Sequence, residues 1–218
     1  MSTVFKERYL GVAFDLDGVI VDSEAAHMNI YVNILSEFGT SIHADQYKTF
    51  VGKSDYEITK MIVESKSLPI SREELQNRYK QGLADWLDAG DLPVVEGVRE
   101  LIRMLHEEGI RLAVASSSSR MNIEKSLAGA GVREYFDTIV SAEDVQNGKP
   151  APDIYLESVR KMGLQPHECA AIEDAHYGAL SAKRAGLYTV GFHNPNSGDQ
   201  NLSIADIVVD SMAQLYDR

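Results

Sequence analysis

Cysteine is nearly absent: Cys169 is the one thiol in the whole chain. That excludes an internal disulfide and fits a reducing compartment. Its place in the apolar stretch CAAI marks it as buried core rather than as a reactive thiol. Long apolar runs are missing too, since no uncharged stretch approaches the ~20 residues of a membrane span. The N-terminal MSTVFKER has neither an apolar core nor a small-residue cleavage site, so no signal peptide is expected. Positive charge is scarce. With 21 Lys and Arg against 33 Asp and Glu the net charge is −12, which argues against a broad nucleic-acid or anionic-membrane surface. It leaves room for a small anionic substrate, because a local lysine, a metal and backbone N–H groups can hold phosphate on an acidic protein. No internal repeat or low-complexity tract is found. At 218 residues, 44% hydrophobic and 25% charged, the composition is that of a soluble cytoplasmic protein with one sizeable domain, or one domain carrying an insert. Nothing demands more than a monomer.

Short β-rich runs recur along the chain: VAF at 12–14, RLAVA at 111–115, TIV at 138–140, AAI at 170–172, YTV at 188–190 and IVV at 207–209. Helical stretches separate them. One runs from Met121 to Ala130, and another, DIYLESVRKM, has Pro152 suited to its first helical position and Gly163 to its end. A third spans His176 to Ala185, with Gly186 as its stop. Strand and helix in alternation predict a doubly wound parallel sheet covered on both faces. The long gap after the first strand is different. From about Ser23 to Asp91 the signals are helical: Ser54/Glu57 and Ser71/Glu74 have capping-box spacing, and Leu75, Tyr79, Leu83 and Trp86 share a helical face. Gly39 and Gly90 read as helix stops. An insert of roughly seventy residues is too long for an ordinary connection and large enough for a small lid. The expected domains are therefore a core of residues 1–22 and 92–218 and a helical cap of residues 23–91. An amphipathic helix with Val98, Leu101, Ile102 and Leu105, stopped by Gly109, returns the chain to the sheet.

The first strand ends on Asp15 and Asp17, just before Gly18. Side chains two apart on an extended segment point the same way, and two carboxylates aimed into one place call for a cation or a shared proton. A strand followed by an Asp-Gly turn explains the pair equally well when it is taken alone. Ligands of open parallel sheets bind beyond the carboxyl ends of the strands. The second strand ends in Ser116, at the head of a serine run, the third is followed by a loop reaching Lys149, and the fourth ends in Glu173-Asp174. Each has a bland reading: Ser119 as a helix cap, Lys149 as a solvated charge, Asp174 as a cap for the helix from His176. Their recurrence at successive strand ends favours a site. Such a set supports phosphoryl transfer, with one carboxylate attacking phosphorus, the other trading the proton, and Ser116, Lys149 and loop N–H groups holding the phosphoryl oxygens. Asp174 with Asp15 would complete an oxygen site for Mg²⁺.

The motifs FDLDGVIVDSE, VASSS, GKPAPD and IEDAHYG resemble, in order, the four signatures of the haloacid-dehalogenase-like phosphatases. Within that superfamily the chain is most similar to the β-phosphoglucomutase-like branch, with a helical cap inserted after the first motif. The resemblance covers essentially the whole chain. It implies a Rossmann-like core, Asp15 as nucleophile, Asp17 as acid/base, and Mg²⁺ bound by Asp15, the Asp17 backbone carbonyl and Asp174 with support from Glu173. It further implies a phosphate site at Ser116, Ser117 and Lys149. The second aspartate favours phosphoryl transfer over carbon–halogen cleavage. His27, where the cap begins, is placed to contact substrate, to position Asp17, or simply to pack in its helix. The mutases carry an arginine-containing specificity loop for a second phosphate. The matching segment here, Val51 to Tyr56, has one lysine and no arginine, which tips the reading from mutase to phosphatase. Gly52, Lys53 and Arg120 are the remaining candidates for substrate contact, and Ser54 reads as a helix cap. The expectation is a Mg²⁺-dependent phosphatase of a small phosphorylated metabolite, with β-phosphoglucomutase as the alternative. A receiver-type phospho-acceptor domain is disfavoured by the helical insert and by the order of the acidic residues, and a silent binding protein by the competent residue at every position.

Overall fold

The computed structural model describes residues 2–50, 55–90 and 92–216. Its centre is a six-stranded sheet of order β3-β2-β1-β4-β5-β6. The strands are β1 (Gly11–Phe14), β2 (Arg111–Ala115), β3 (Thr138–Val140), β4 (Cys169–Glu173), β5 (Tyr188–Phe192) and β6 (Ile207–Val209). Every neighbouring pair is parallel. All six expected runs are strands. β1 and β4 are buried along their whole length, as central strands covered on both faces must be.

The two faces of the sheet differ in size. Ala13, Ala113, Ala115 and Ala171 line one face with little bulk, and there Ile154, Tyr155, Val159 and Met162 of α7 (Asp153–Met162) and Ala182 and Ala185 of α8 (His176–Ala185) pack against them. Val12, Phe14, Leu112, Val114 and Ile172 alternate onto the other face. They meet Leu101, Ile102 and Leu105 of α5 (Val98–Glu107) and Ile123 and Leu127 of α6 (Arg120–Gly129).

Between β1 and α5 the described residues form four helices and no strand: α1 (Glu24–Ser36), α2 (Ala44–Lys48), α3 (Asp55–Lys66) and α4 (Arg72–Asp88). Tyr31 of α1 stacks on Tyr79 of α4 with ring centroids 4.7 Å apart. Their apolar side chains continue the larger core cluster without a break. The chain enters and leaves this insertion side by side. Val21 bridges Val94, the Asp22 N–H donates to the Pro93 carbonyl at 2.9 Å, and the Val95 N–H donates to the Ile20 carbonyl at 3.1 Å. No helix among the described residues is long and apolar enough to cross a membrane.

Several local expectations shift by a residue or two. α6 starts at Arg120 rather than Met121, and Pro152 stands at the N-cap of α7 rather than inside its first turn. On α4 the fourth buried position is Leu87, while Trp86 is half-buried beside the His27 ring. Ser71 caps α4 by accepting the Glu74 N–H, but the Glu74 carboxylate turns to Arg78 instead of closing the box. The Ser54 box lies outside the described residues.

Candidate active site

The order of strands reverses between β1 and β4, which places a crevice at their carboxyl ends. Register brings the acids together there. Phe14 pairs with Ile172, the Asp15 N–H continues the ladder to the Ile172 carbonyl at 3.0 Å, and Asp15 thus leaves the sheet beside Glu173. One carboxylate oxygen each of Asp15, Glu173 and Asp174 lies within 4.8 Å of the others.

Lys149 is the counter-charge. Its ammonium donates to Asp15 at 2.9 Å and to Glu173 at 2.6 Å, and it lies 5.4 Å from the centre of the Tyr155 ring. The Tyr155 hydroxyl donates to the same Glu173 oxygen at 2.5 Å. The lysine follows the loop after β3 and precedes Pro150 through a cis peptide bond. Burial, with Glu173 beside it, pushes the Asp15 carboxyl up to about 7, against the pull of Lys149. Burial, then Asp15 and Glu173, hold Asp174 well above the ordinary carboxylate range. Burial also opposes the charge of Lys149, but the two acids it touches keep its pKa above the usual lysine value.

Asp17 has other company. Ser23 donates to its Oδ1 at 2.6 Å, Ser118 donates to its Oδ2 at 3.2 Å, and the His27 Nε2 lies 3.6 Å from Oδ1. Nδ1 of His27 meets the Tyr79 hydroxyl at 2.7 Å, so with the ring proton on Nε2 the tyrosine donates and His27 joins Asp17 to α4. Burial raises the proton affinity of Asp17, but His27 and the two serines outweigh it and hold the carboxyl below its usual value. Two residues of separation therefore put these aspartates into different electrostatic settings.

Two glycines make room for this packing. A Cβ on Gly18, which sits at φ +76°, would stand 1.9 Å from an Asp174 oxygen, and one on Gly178 would stand 2.1 Å from the Glu173 carboxylate. The second oxygen of Glu173 is buried without a hydrogen-bond partner. Three hard oxygen donors, an orphaned carboxylate oxygen and mutual repulsion together fit a small divalent cation such as Mg²⁺.

The structure brings Asp15, Lys149, Glu173 and Asp174 into one cluster and places Asp17 beside it. Ser116 is buried at the end of β2, its hydroxyl accepting the Ser118 N–H at 3.1 Å, whereas Ser117 is exposed at the rim. Arg120 is not brought to the cluster: its guanidinium is taken by Asp144 at 2.6 Å and by the Ile139 carbonyl at 3.3 Å. Asp174 does not cap α8, whose N-cap is Ala175. It is bound instead by the Ser197 hydroxyl. Gly52 and Lys53 lie outside the described residues. Reading the sequence missed Ser23, Ser118, Tyr155 and Ser197. Ser118 stood in the serine run and Ser23 beside His27, but nothing local marked Tyr155 or Ser197.

The model of the haloacid dehalogenase-like hydrolases matches residues 12–192. The chain is 30% identical over 216 residues to an Arabidopsis thaliana bifunctional riboflavin kinase/FMN phosphatase, covering 99% of this chain but 56% of that protein. It is 32% identical over 187 residues to the fructose-1-phosphate phosphatase of Escherichia coli K12, covering 84% of this chain and 96% of that one. The crystal structure of Clostridium difficile β-phosphoglucomutase superposes with a TM-score of 0.79 at 26% identity, over 95% of this chain and 93% of that chain. With the motif order, the sheet order and the clustered carboxylates already in place, the match over most of its length makes this chain a member of the haloacid dehalogenase-like hydrolase family.

Proposed function

We propose that the chain is a Mg²⁺-dependent phosphatase acting on a small phosphorylated sugar. One observation carries the reading: Asp15 is held by Lys149 among Glu173 and Asp174, while Asp17 is oriented separately by two hydroxyls and His27. The similarity to a fructose-1-phosphate phosphatase supports the substrate class.

The Asp15 carboxylate attacks phosphorus, and the bond from phosphorus to the sugar oxygen breaks with its electron pair leaving on that oxygen. Asp17 delivers the proton to it. In the free protein Asp17 is held as a carboxylate, but a phosphate dianion arriving beside it raises its proton affinity. Asp17 then takes a proton from water, whose oxygen attacks the aspartyl phosphate and returns Asp15 as carboxylate with release of phosphate. Lys149, the Ser116 hydroxyl and the loop around Ser117 stabilise charge on the phosphoryl oxygens. Asp15, Glu173, Asp174 and the Asp17 carbonyl would hold Mg²⁺, which neutralises charge on the phosphate when bound. Residues 23–91 serve as a cap over the core of residues 1–22 and 92–218, excluding bulk water and selecting the leaving group through His27 and the segment around Gly52 and Lys53.

The likeness to a β-phosphoglucomutase favours a second reading, in which the same aspartyl phosphate is returned to a sugar. The test supplies purified protein with Mg²⁺ and a panel of sugar phosphates, including β-glucose 1-phosphate with a bisphosphate primer. Free sugar and inorganic phosphate are expected. Glucose 6-phosphate as the product would replace the phosphatase reading with the mutase.

A further inference from the structure

The loop between β5 and β6 was not expected to take part in the site, yet it sends one side chain to Asp174, one to Gly18 beside it and one away from the cluster to Asp22. Asn194, 4% exposed, donates through Nδ2 to the Gly18 carbonyl at 2.8 Å. Asn196 donates to Asp22 Oδ2 at 2.7 Å, where the chain enters the helical insertion. Ser197, 1% exposed, donates its hydroxyl to Asp174 Oδ2. The loop is braced for this work. The Ser197 N–H donates to the Asn194 carbonyl at 3.1 Å, and the Asn196 N–H donates to the Asn194 side chain at 2.8 Å. Gln200 donates to the Ser197 carbonyl and accepts the His176 N–H at the start of α8, both at 3.1 Å.

We propose that Ser197 is a positioning residue for the divalent-cation site, fixing the rotamer of Asp174. The inference rests on Asp174 holding the cation and extends that reading to a residue outside the four motifs. The physics is simple. Asp174 is buried against Gly18 and faces the carboxyl groups of Asp15 and Glu173, so like groups crowded into one place push it to rotate away. One buried hydroxyl on Oδ2 opposes that rotation, because the hydrogen bond is made in only one orientation of the carboxyl group. The carboxylate is then set before the cation arrives. Groups that orient a ligand in this way typically carry ~10–100-fold of metal affinity.

The experiment titrates Mg²⁺ into the full-length, chelator-stripped protein by calorimetry, with the melting temperature in EDTA as the measure of fold. Ser197→Ala is expected to weaken Mg²⁺ affinity by ~10–100-fold with a native-like melting curve. Ser197→Cys, which keeps the volume but donates weakly, should fall in between, and it carries the test if the alanine variant does not fold. Asn196→Ala loses a contact of the same loop but none to Asp174, and should bind within about twofold of wild type. Affinity of a folded Ser197 variant within about twofold of wild type overturns the proposal, as does an equal loss in Asn196→Ala or a wild-type protein that binds no Mg²⁺. Affinity is read without turnover. A chain that shows the Ser197 effect but releases no phosphate would refute the phosphatase reading and leave this inference intact.

Discussion

Asp15 and Asp17 are two residues apart and in opposite circumstances. Asp15 sits among carboxylates with Lys149 as its sole charged relief among the described residues, and its proton affinity is raised. Asp17 sits among two hydroxyls and a histidine, and its proton affinity is lowered. The first setting is costly without a cation; the second is comfortable without one. The division also follows the architecture. Asp15 is held by groups of the sheet and its loops, whereas Ser23 and His27 begin the helical insertion and Tyr79 ties them to α4. On the proposed function, attack falls to the side governed by the core, and proton exchange to the side that Ser23 and His27 of the insertion share with Ser118 of the loop after β2.

The strongest way to break this comparison is to remove the attacking group. Asp15→Asn is expected to lower phosphate release by at least ~10⁴-fold while the far-ultraviolet circular dichroism stays native. Turnover surviving within tenfold would mean that the carboxylate among the acids is not the nucleophile. Asp17→Asn should be milder, about 10²–10⁴-fold on a sugar phosphate. It should also differ in kind. With p-nitrophenyl phosphate, whose leaving group needs little proton assistance, it should give a burst of nitrophenol and leave the protein phosphorylated at Asp15, detectable as added mass. Absence of that intermediate would remove the distinction between the two roles.

The smallest effect is on stability, measured by urea midpoints in EDTA. The folded pKa of Asp15, about 7, stands above its unfolded value, so its contribution is present below the ordinary carboxylate range and is lost as pH rises toward 7. The folded pKa of Asp17 stands below its unfolded value, so its contribution is present at neutral pH and is lost as pH falls. Asp15→Asn should therefore make the metal-free protein more stable at pH 8 by about 1 kcal/mol, a gain obtained by discarding function. Asp17→Asn should lower stability at the same pH. Shifts of the same sign in both variants would erase the contrast.

Much of this was legible from the chain. Runs such as RLAVA and CAAI are too apolar to serve as anything but buried strands, and Gly163 and Gly186 end their helices in the left-handed conformation that glycine adopts freely. Asp15, Lys149, Glu173 and Asp174 could be grouped because a parallel sheet delivers every strand end to one rim. Trp86 packs against the core half-buried as its shared face with Leu75, Tyr79 and Leu83 suggests, and Leu87 beside it is the fully buried position because the helix face drifts. The position of Arg120 near the serine run did not reveal Asp144, which takes its guanidinium.

What the sequence determined by itself was therefore the alternation of strand and helix, the helical insertion and the acids at the strand ends. Periodicity, capping and turn chemistry are local and can be read along one dimension. The pairing of Asp15 with Lys149, of Asp17 with Ser118 and of Asp174 with Ser197 was decided only in three dimensions. A hydrogen bond between residues 134 or 101 or 23 positions apart follows from sheet order and loop packing. Nothing in the neighbouring sequence specifies the partner.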